Sequence, residues 1–177
     1  MTFKRFTRLP VFRQGRNFRK DVFKPPTPKQ EDLTSDAFDK LVRHLNGDIT
    51  LAKRIQKLQE KFPNQSIPEL LCYDWLTKEH IQFVFQAAIM GGKFVKGGLI
   101  PDFVLKTSPV TVWQIQGDFW HDVSRKGYRD EVSNLRMIGQ NVEGYTIERV
   151  LSLWEGDLLM KRPLIFTMAL AGMSLKG

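Results

Sequence analysis

The feature that most constrains this chain is a change of period near residue 80. Before it, apolar residues recur at helical spacing; from Ile81 to Gly117 they alternate or cluster in short runs. "IQFVFQ" alternates and reads as a strand. "LIPDFVL" and "VTVWQIQG" read as two more, turned back on each other at Ser108-Pro109. Three helices precede the strands. The first, "DAFDKLVRHLNG", is capped by Ser35 and Asp36 and closed by Asn46-Gly47. The second, "DITLAKRIQKLQEKF", carries Ile49, Leu51, Ile55, Leu58 and Phe62 as its apolar set. The third opens at "NQSIPELLCYDWL", where Ser66 and Glu69 have the spacing of a capping box. After the strands, "RDEVSNLRMIGQN" is helical, with Val132, Leu135 and Ile138 on one side. "YTIERVLSLWE" reads as a last strand, and "DLLMKRPLIFTMALAG" as a closing helix broken at Pro163. The order ααα-βββ-α-β-α predicts an α/β (α+β) fold: a mixed sheet flanked by helices.

Charge divides the chain differently. Residues 1–30 hold nine Lys or Arg against Asp21, while the remaining residues balance at 18 basic and 18 acidic. The high pI of 9.7 therefore describes an N-terminal arm and not a basic globule. Such an arm attracts polyanions through counterion release. It runs over residues 1–34, is interrupted by Pro10, Pro25, Pro26 and Pro28, and interleaves five phenylalanines with its cations. Arg5, Arg8, Arg13, Arg16, Arg19 and Lys20 are its candidate nucleic-acid contacts. Three readings of the arm stand: a solvated tail, a nucleic-acid binder, or a segment that docks on a protein assembly. Residues 35–65 form a helical subregion and 66–177 the core.

No apolar run approaches the roughly 20 residues of a membrane span, and the N-terminus lacks the apolar stretch of a secretory signal. No membrane role is expected. Cys72 is the one cysteine, which excludes a disulfide framework, fits a reducing cytoplasm and reads as core packing.

The polar residues inside the strands carry the functional question. Gln114 and Gln116 share one face of "VTVWQIQG", with Trp113 and Ile115 on the other. Asp102 opens the preceding strand, so a hairpin brings it beside Gln114–Gln116. Beyond Gly117 come Asp118, Phe119, Trp120 and His121. Each residue has a structural reading too: a turn cap for Asp102, a helix cap for Glu69, bonded amides for the glutamines, a loop histidine for His121. Arg125, Lys126, Arg129 and Arg136 follow and are candidates for phosphate contacts, or an exposed helix start.

An Asp opening one strand, followed by a polar-x-polar strand, resembles the skeleton of the PD-(D/E)XK nuclease superfamily. Pro101-Asp102 matches its "PD"; Gln114 and Gln116 replace its (D/E)-x-K. The likeness is greater to the very-short-patch repair (Vsr) endonuclease branch, whose "GCFWH"-like motif is similar to "QGDFWH" at Gln116–His121. It extends to Ser66-x-x-Glu69 and to "VLSLWEGDL", and so covers about Ser66 to Leu158. The resemblance implies a restriction-endonuclease-like core and a Mg²⁺ site of Asp102 and the Ile115 carbonyl. His121 would move the proton and Glu69 would act through water. Gln116 stands where the branch has a catalytic histidine. The branch's zinc ligands are missing, so no zinc is expected. Phe119 and Trp120 match the position of aromatics that wedge into duplex DNA.

Two functions follow from this. One is a Mg²⁺-dependent DNA endonuclease in the host cytoplasm. The other is an inactive nuclease fold that serves as a phage virion or assembly protein, docking through its arm and able to oligomerise. A weaker third is a regulator that binds nucleic acid by the arm alone.

Overall fold

The computed structural model describes the backbone over residues 30–117 and 127–173. Three helices come first: α1 (Gln30–His44), α2 (Ile49–Lys61) and α3 (Ile67–Lys78). β1 (Phe83–Phe85), β2 (Phe103–Leu105) and β3 (Thr111–Gln116) follow, with a short 3₁₀ turn at Gly92–Phe94. Then come α4 (Gly127–Met137), β4 (Asn141–Val142), β5 (Tyr145–Thr146) and β6 (Arg149–Trp154). α5 (Glu155–Met160) and α6 (Arg162–Leu170) close the fold.

The main sheet has the order β1-β2-β3-β6. β1, β2 and β3 form an antiparallel meander, and β6 pairs parallel to β3. A parallel neighbour needs a crossover, and α4 lies within it. The molecule is thus a mixed sheet flanked by helices, as the alternation of periods predicts.

Strand alternation sorts the core into two faces. Phe103, Leu105, Trp113, Leu151 and Leu153 pack with Cys72 and Leu76 of α3, Leu158 of α5, and Ile165, Phe166 and Ala169 of α6. Val104 and Val112 pack with Met137 of α4, Val142 and Ile147. A third cluster docks α1 and α2 on α3: Leu41 and Leu45, Leu51, Ala52 and Ile55 meet Leu70 and Leu71. Arg54 reinforces it with a bidentate bond to Asp74 at 3.0 to 3.2 Å.

Helix boundaries follow their caps. Asp48 accepts from the Leu51 N–H at α2. At α3 both halves of the Ser66/Glu69 capping box are formed. Asn46 and Gly47 close α1 with φ of 58° and 82°, the left-handed backbone that glycine adopts without strain. The closing helix breaks at Lys161, and Pro163 sits in the first turn of α6, where its missing N–H costs nothing.

Four expectations are corrected. α1 begins at Gln30, not at a Ser35–Asp36 cap; the nearest proline before it is Pro28, and Glu31 and Asp32 suit a helix N-terminus. Ile49, at the first turn of α2, is 54% exposed. Val132 and Leu135 of α4 and Ile138 just beyond it face solvent while Met137 is buried; the inward contact is made by Met137 and by Asn134, whose Nδ2 reaches Ser152 Oγ. Finally, "YTIERVLSLWE" is two strands. Tyr145–Thr146 turns back on Asn141–Val142 through Glu143-Gly144, both at positive φ, the requirement of a tight two-residue hairpin. Among the described residues no helix is long and apolar enough to cross a membrane.

Candidate active site at the start of β2

The site begins with a proline that stops a ladder. β2 and β3 pair as Phe103↔Trp113, so two residues further on Pro101 lies opposite Ile115. Pro101 has no N–H to donate, and regular pairing ends there. The Ile115 N–H turns to the Asp102 carboxylate instead, donating to Oδ2 at 2.7 Å. Asp102 is held from two further directions. Its N–H donates to Gln114 Oε1 at a long 3.3 Å, and its carbonyl accepts the Gln86 N–H at 2.9 Å. Gln114 is steadied in turn by Nε2 against Met137 Sδ of α4.

Glu69 enters from the first turn of α3. Its Oε2 accepts the Ser66 N–H at 2.7 Å and the Ser66 hydroxyl at 2.6 Å. Oε1 accepts from Gln86 Nε2 at 3.3 Å. Gln86 also exchanges two amide bonds with Gln65, at 2.6 and 3.1 Å. It does so from a backbone φ of 51°, a conformation that costs energy outside glycine.

The electrostatics are those of an unrelieved pair of acids. Burial pushes the Asp102 carboxyl up to about 7; the Ile115 N–H pulls it down, and the Glu69 carboxylate pushes it further up. Cys72, fully buried beneath, has its thiol raised by burial and then by Asp102 and Glu69. Among the described residues no Lys or Arg pairs with either carboxylate. Nor do three His, Cys, Asp or Glu side chains gather closely enough to hold a metal between them. The oxygen donors at hand are two carboxylates, a strand carbonyl and the amides.

The expected residues are thus distributed unevenly. Asp102, Glu69, Ile115 and Gln114 come together. Gln116 lies two residues further along β3, opposite Trp154 of β6, and is 7% exposed. Among the described residues its Oε1 has no hydrogen-bond partner, which at such burial is a costly arrangement. Arg136 is committed elsewhere, donating to the Gly97 carbonyl at 2.8 Å. His121, Asp118, Phe119, Trp120, Arg125 and Lys126 lie outside the described residues, as do Arg5, Arg8, Arg13, Arg16, Arg19 and Lys20 of the arm.

Sequence reasoning missed Gln65 and Gln86. No spacing rule marks them; only the pairing of β1 with β2 sets Gln86 beside Asp102. Comparisons with family models, with curated proteins and with solved structures return no match for this chain.

Proposed function

We propose that the chain is a Mg²⁺-dependent DNA endonuclease, a member of the PD-(D/E)XK superfamily with a Vsr-like site at the start of β2. One observation carries the reading. Asp102 and Glu69, from different elements, converge at one end of the sheet, and the buried one has its carboxyl raised to about 7 with no cation beside it among the described residues. Such a pair gains from a divalent cation, and perturbed carboxylates of this kind concentrate at functional sites.

The donor set fits magnesium, which takes hard oxygens and uses one or two carboxylates with water. Asp102 keeps Oδ1 free of protein donors among the described residues, because the Ile115 N–H occupies Oδ2. The Ile115 carbonyl faces a proline that cannot bond it. These two would hold the ion, with Glu69 acting through water. Bound there, the ion would supply an acidified water and charge neutralisation at phosphate. The protein's own part is orientation. Gln114 and Gln86 fix the Asp102 backbone, and Ser66 fixes Glu69. Gln116 Oε1, which meets no donor among the described residues, can accept a hydrogen bond from a water. Gln116 cannot take a proton; the likeness to the Vsr branch gives proton transfer to His121.

The test is nicking of supercoiled plasmid with Mg²⁺ or Mn²⁺. The Asp102→Asn variant should lose about 100-fold or more of the rate; undiminished cleavage sinks the proposal. A second reading has its own support. Gln114, at the superfamily's acidic position, is spent on structural bonds to Asp102 and Met137. That suits a nuclease fold kept as an assembly protein of a phage virion. Purified protein that forms defined rings and nicks nothing would favour it.

A further inference from the structure

A stripe of side chains leads away from the site along α3, and a groove opens beside its far end. Glu69, Tyr73 and Thr77 follow one another at i, i+4 and i+8, so they form a single stripe about 12 Å long. Facing the stripe is β1. The Tyr73 ring lies 5.4 Å from Phe85 and 5.2 Å from Phe83, and Phe62 of the α2 C-cap lies 5.0 Å from Tyr73. All four rings are only half-buried. β1 is also an edge strand. The Gln82 carbonyl and the Gln86 N–H bond β2, so Phe83 and Phe85 turn their backbone groups outward.

Two cavities of about 430 and 220 Å³ lie on this stripe and share Tyr73 and Thr77. Their walls carry Lys106, Arg54, Lys57 and Lys78 against one acid, Asp74. Arg54 already neutralises Asp74 through its bidentate bond, and Glu143 holds Lys106. Lys57 and Lys78 form no ion pair among the described residues. Lys61 adds its Nζ 5.0 Å above the Phe62 ring. An acidic peptide would use the cations and leave the rings idle. A purely apolar ligand would meet uncompensated charge. A nucleic-acid strand uses both, its phosphates on the lysines and its bases on the rings.

We propose that this groove holds a single-stranded polynucleotide, with bases against Tyr73 and Phe83 and phosphates on Lys57 and Lys78, at the far end of the stripe that starts at Glu69. The contacts stand on the groove itself; only their purpose rests on the endonuclease reading. The stripe has room for about three stacked nucleotides at about 3.4 Å each.

The experiment uses the full chain in chelator, so that cleavage plays no part. An oligothymidylate of about twelve nucleotides carrying 5-bromouracil is irradiated on the protein, and the cross-links are mapped by mass spectrometry. Cross-links at Tyr73 and Phe83 are expected. In parallel, the Lys57→Gln/Lys78→Gln double variant, which keeps its arm, should lower the slope of log K against log salt by about 1.4, since each single-strand phosphate left without its lysine removes about 0.7. Cross-links confined to residues 1–29, an unchanged slope, equal labelling of Tyr73 by a duplex, or displacement by polyglutamate of equal length would each overturn the proposal. A chain that cross-links here but never nicks DNA with Mg²⁺ keeps the groove and loses the endonuclease reading. One that nicks without these cross-links does the reverse.

Discussion

Asp102 concentrates the cost of this site. Its carboxyl sits near 7 in the folded protein against an ordinary 3.8, because burial and Glu69 both oppose the charge. Below about pH 4 both states hold the proton, and Asp102 has no effect on stability. Between about 4 and 7 the unfolded chain ionises freely while the folded one resists, so stability falls as pH rises. Above about 7 the full penalty applies, about 4 kcal/mol at most. Asp102→Asn, which can still accept the Ile115 N–H, should therefore match the wild type near pH 4 and exceed it near pH 8. Urea midpoints at the two pH values check this, and a constant difference would refute the raised carboxyl. The same residue predicts the rate profile. If the metal must displace the proton, cleavage should rise about tenfold per pH unit below about pH 7 and then level. Cys72 belongs to the same neighbourhood. Buried, and pushed upward by both acids, its thiol should react with a disulfide reagent only after the protein is unfolded.

At the scale of elements, the capping box links fold to site. Ser66 starts α3 and also grips Glu69 with its N–H and hydroxyl. Ser66→Ala should cost about 1 kcal/mol by thermal or urea denaturation. It should also slow cleavage through a freed Glu69, whereas a purely structural cap would leave the rate alone. Much at this scale was legible in the residues. The three helices, the meander turned at Ser108-Pro109, the capping box and the break before Pro163 follow from period, caps and proline chemistry. What escaped was set by neighbours. Val132 and Leu135 of α4 and Ile138 just after it share an apolar spacing, yet Met137 is the one the sheet covers. One apparent strand became two at Ile147-Glu148, because Tyr145–Thr146 pairs with Asn141–Val142 through the Glu143-Gly144 turn while Arg149–Trp154 pairs with β3; no local pattern marks that change of partner.

At the scale of the molecule, the sheet is held by two dissimilar faces and one appended bundle. The face toward α3 and α6 is aromatic. Phe166 stacks on Trp75 at 4.6 Å and on Trp113 at 6.0 Å, and the two tryptophans lie 6.1 Å apart. Phe166→Ala should cost about 3–5 kcal/mol, because three rings lose their packing at once; a shift of the urea midpoint measures it. The helical subregion docks on α3 through Leu70 and Leu71. α3 therefore joins all parts: it takes the bundle on one side, the sheet on another, and presents the Glu69–Tyr73–Thr77 stripe between them.

By itself, the sequence determined the kinds of element, their order, most of their caps and the pairing of the strand opened by Asp102 with the one bearing Gln114. Those are local matters, decided by side-chain period, glycine and proline chemistry and capping within a few residues. Only the tertiary structure decided that Gln86 joins Glu69, that Gln114 braces Asp102 while Gln116 is buried opposite Trp154, and that lysines from α2 and α3 share one groove. Such juxtapositions depend on how far each strand slides and which helix face the core accepts. Those quantities come from packing across distant segments, and no local pattern carries them.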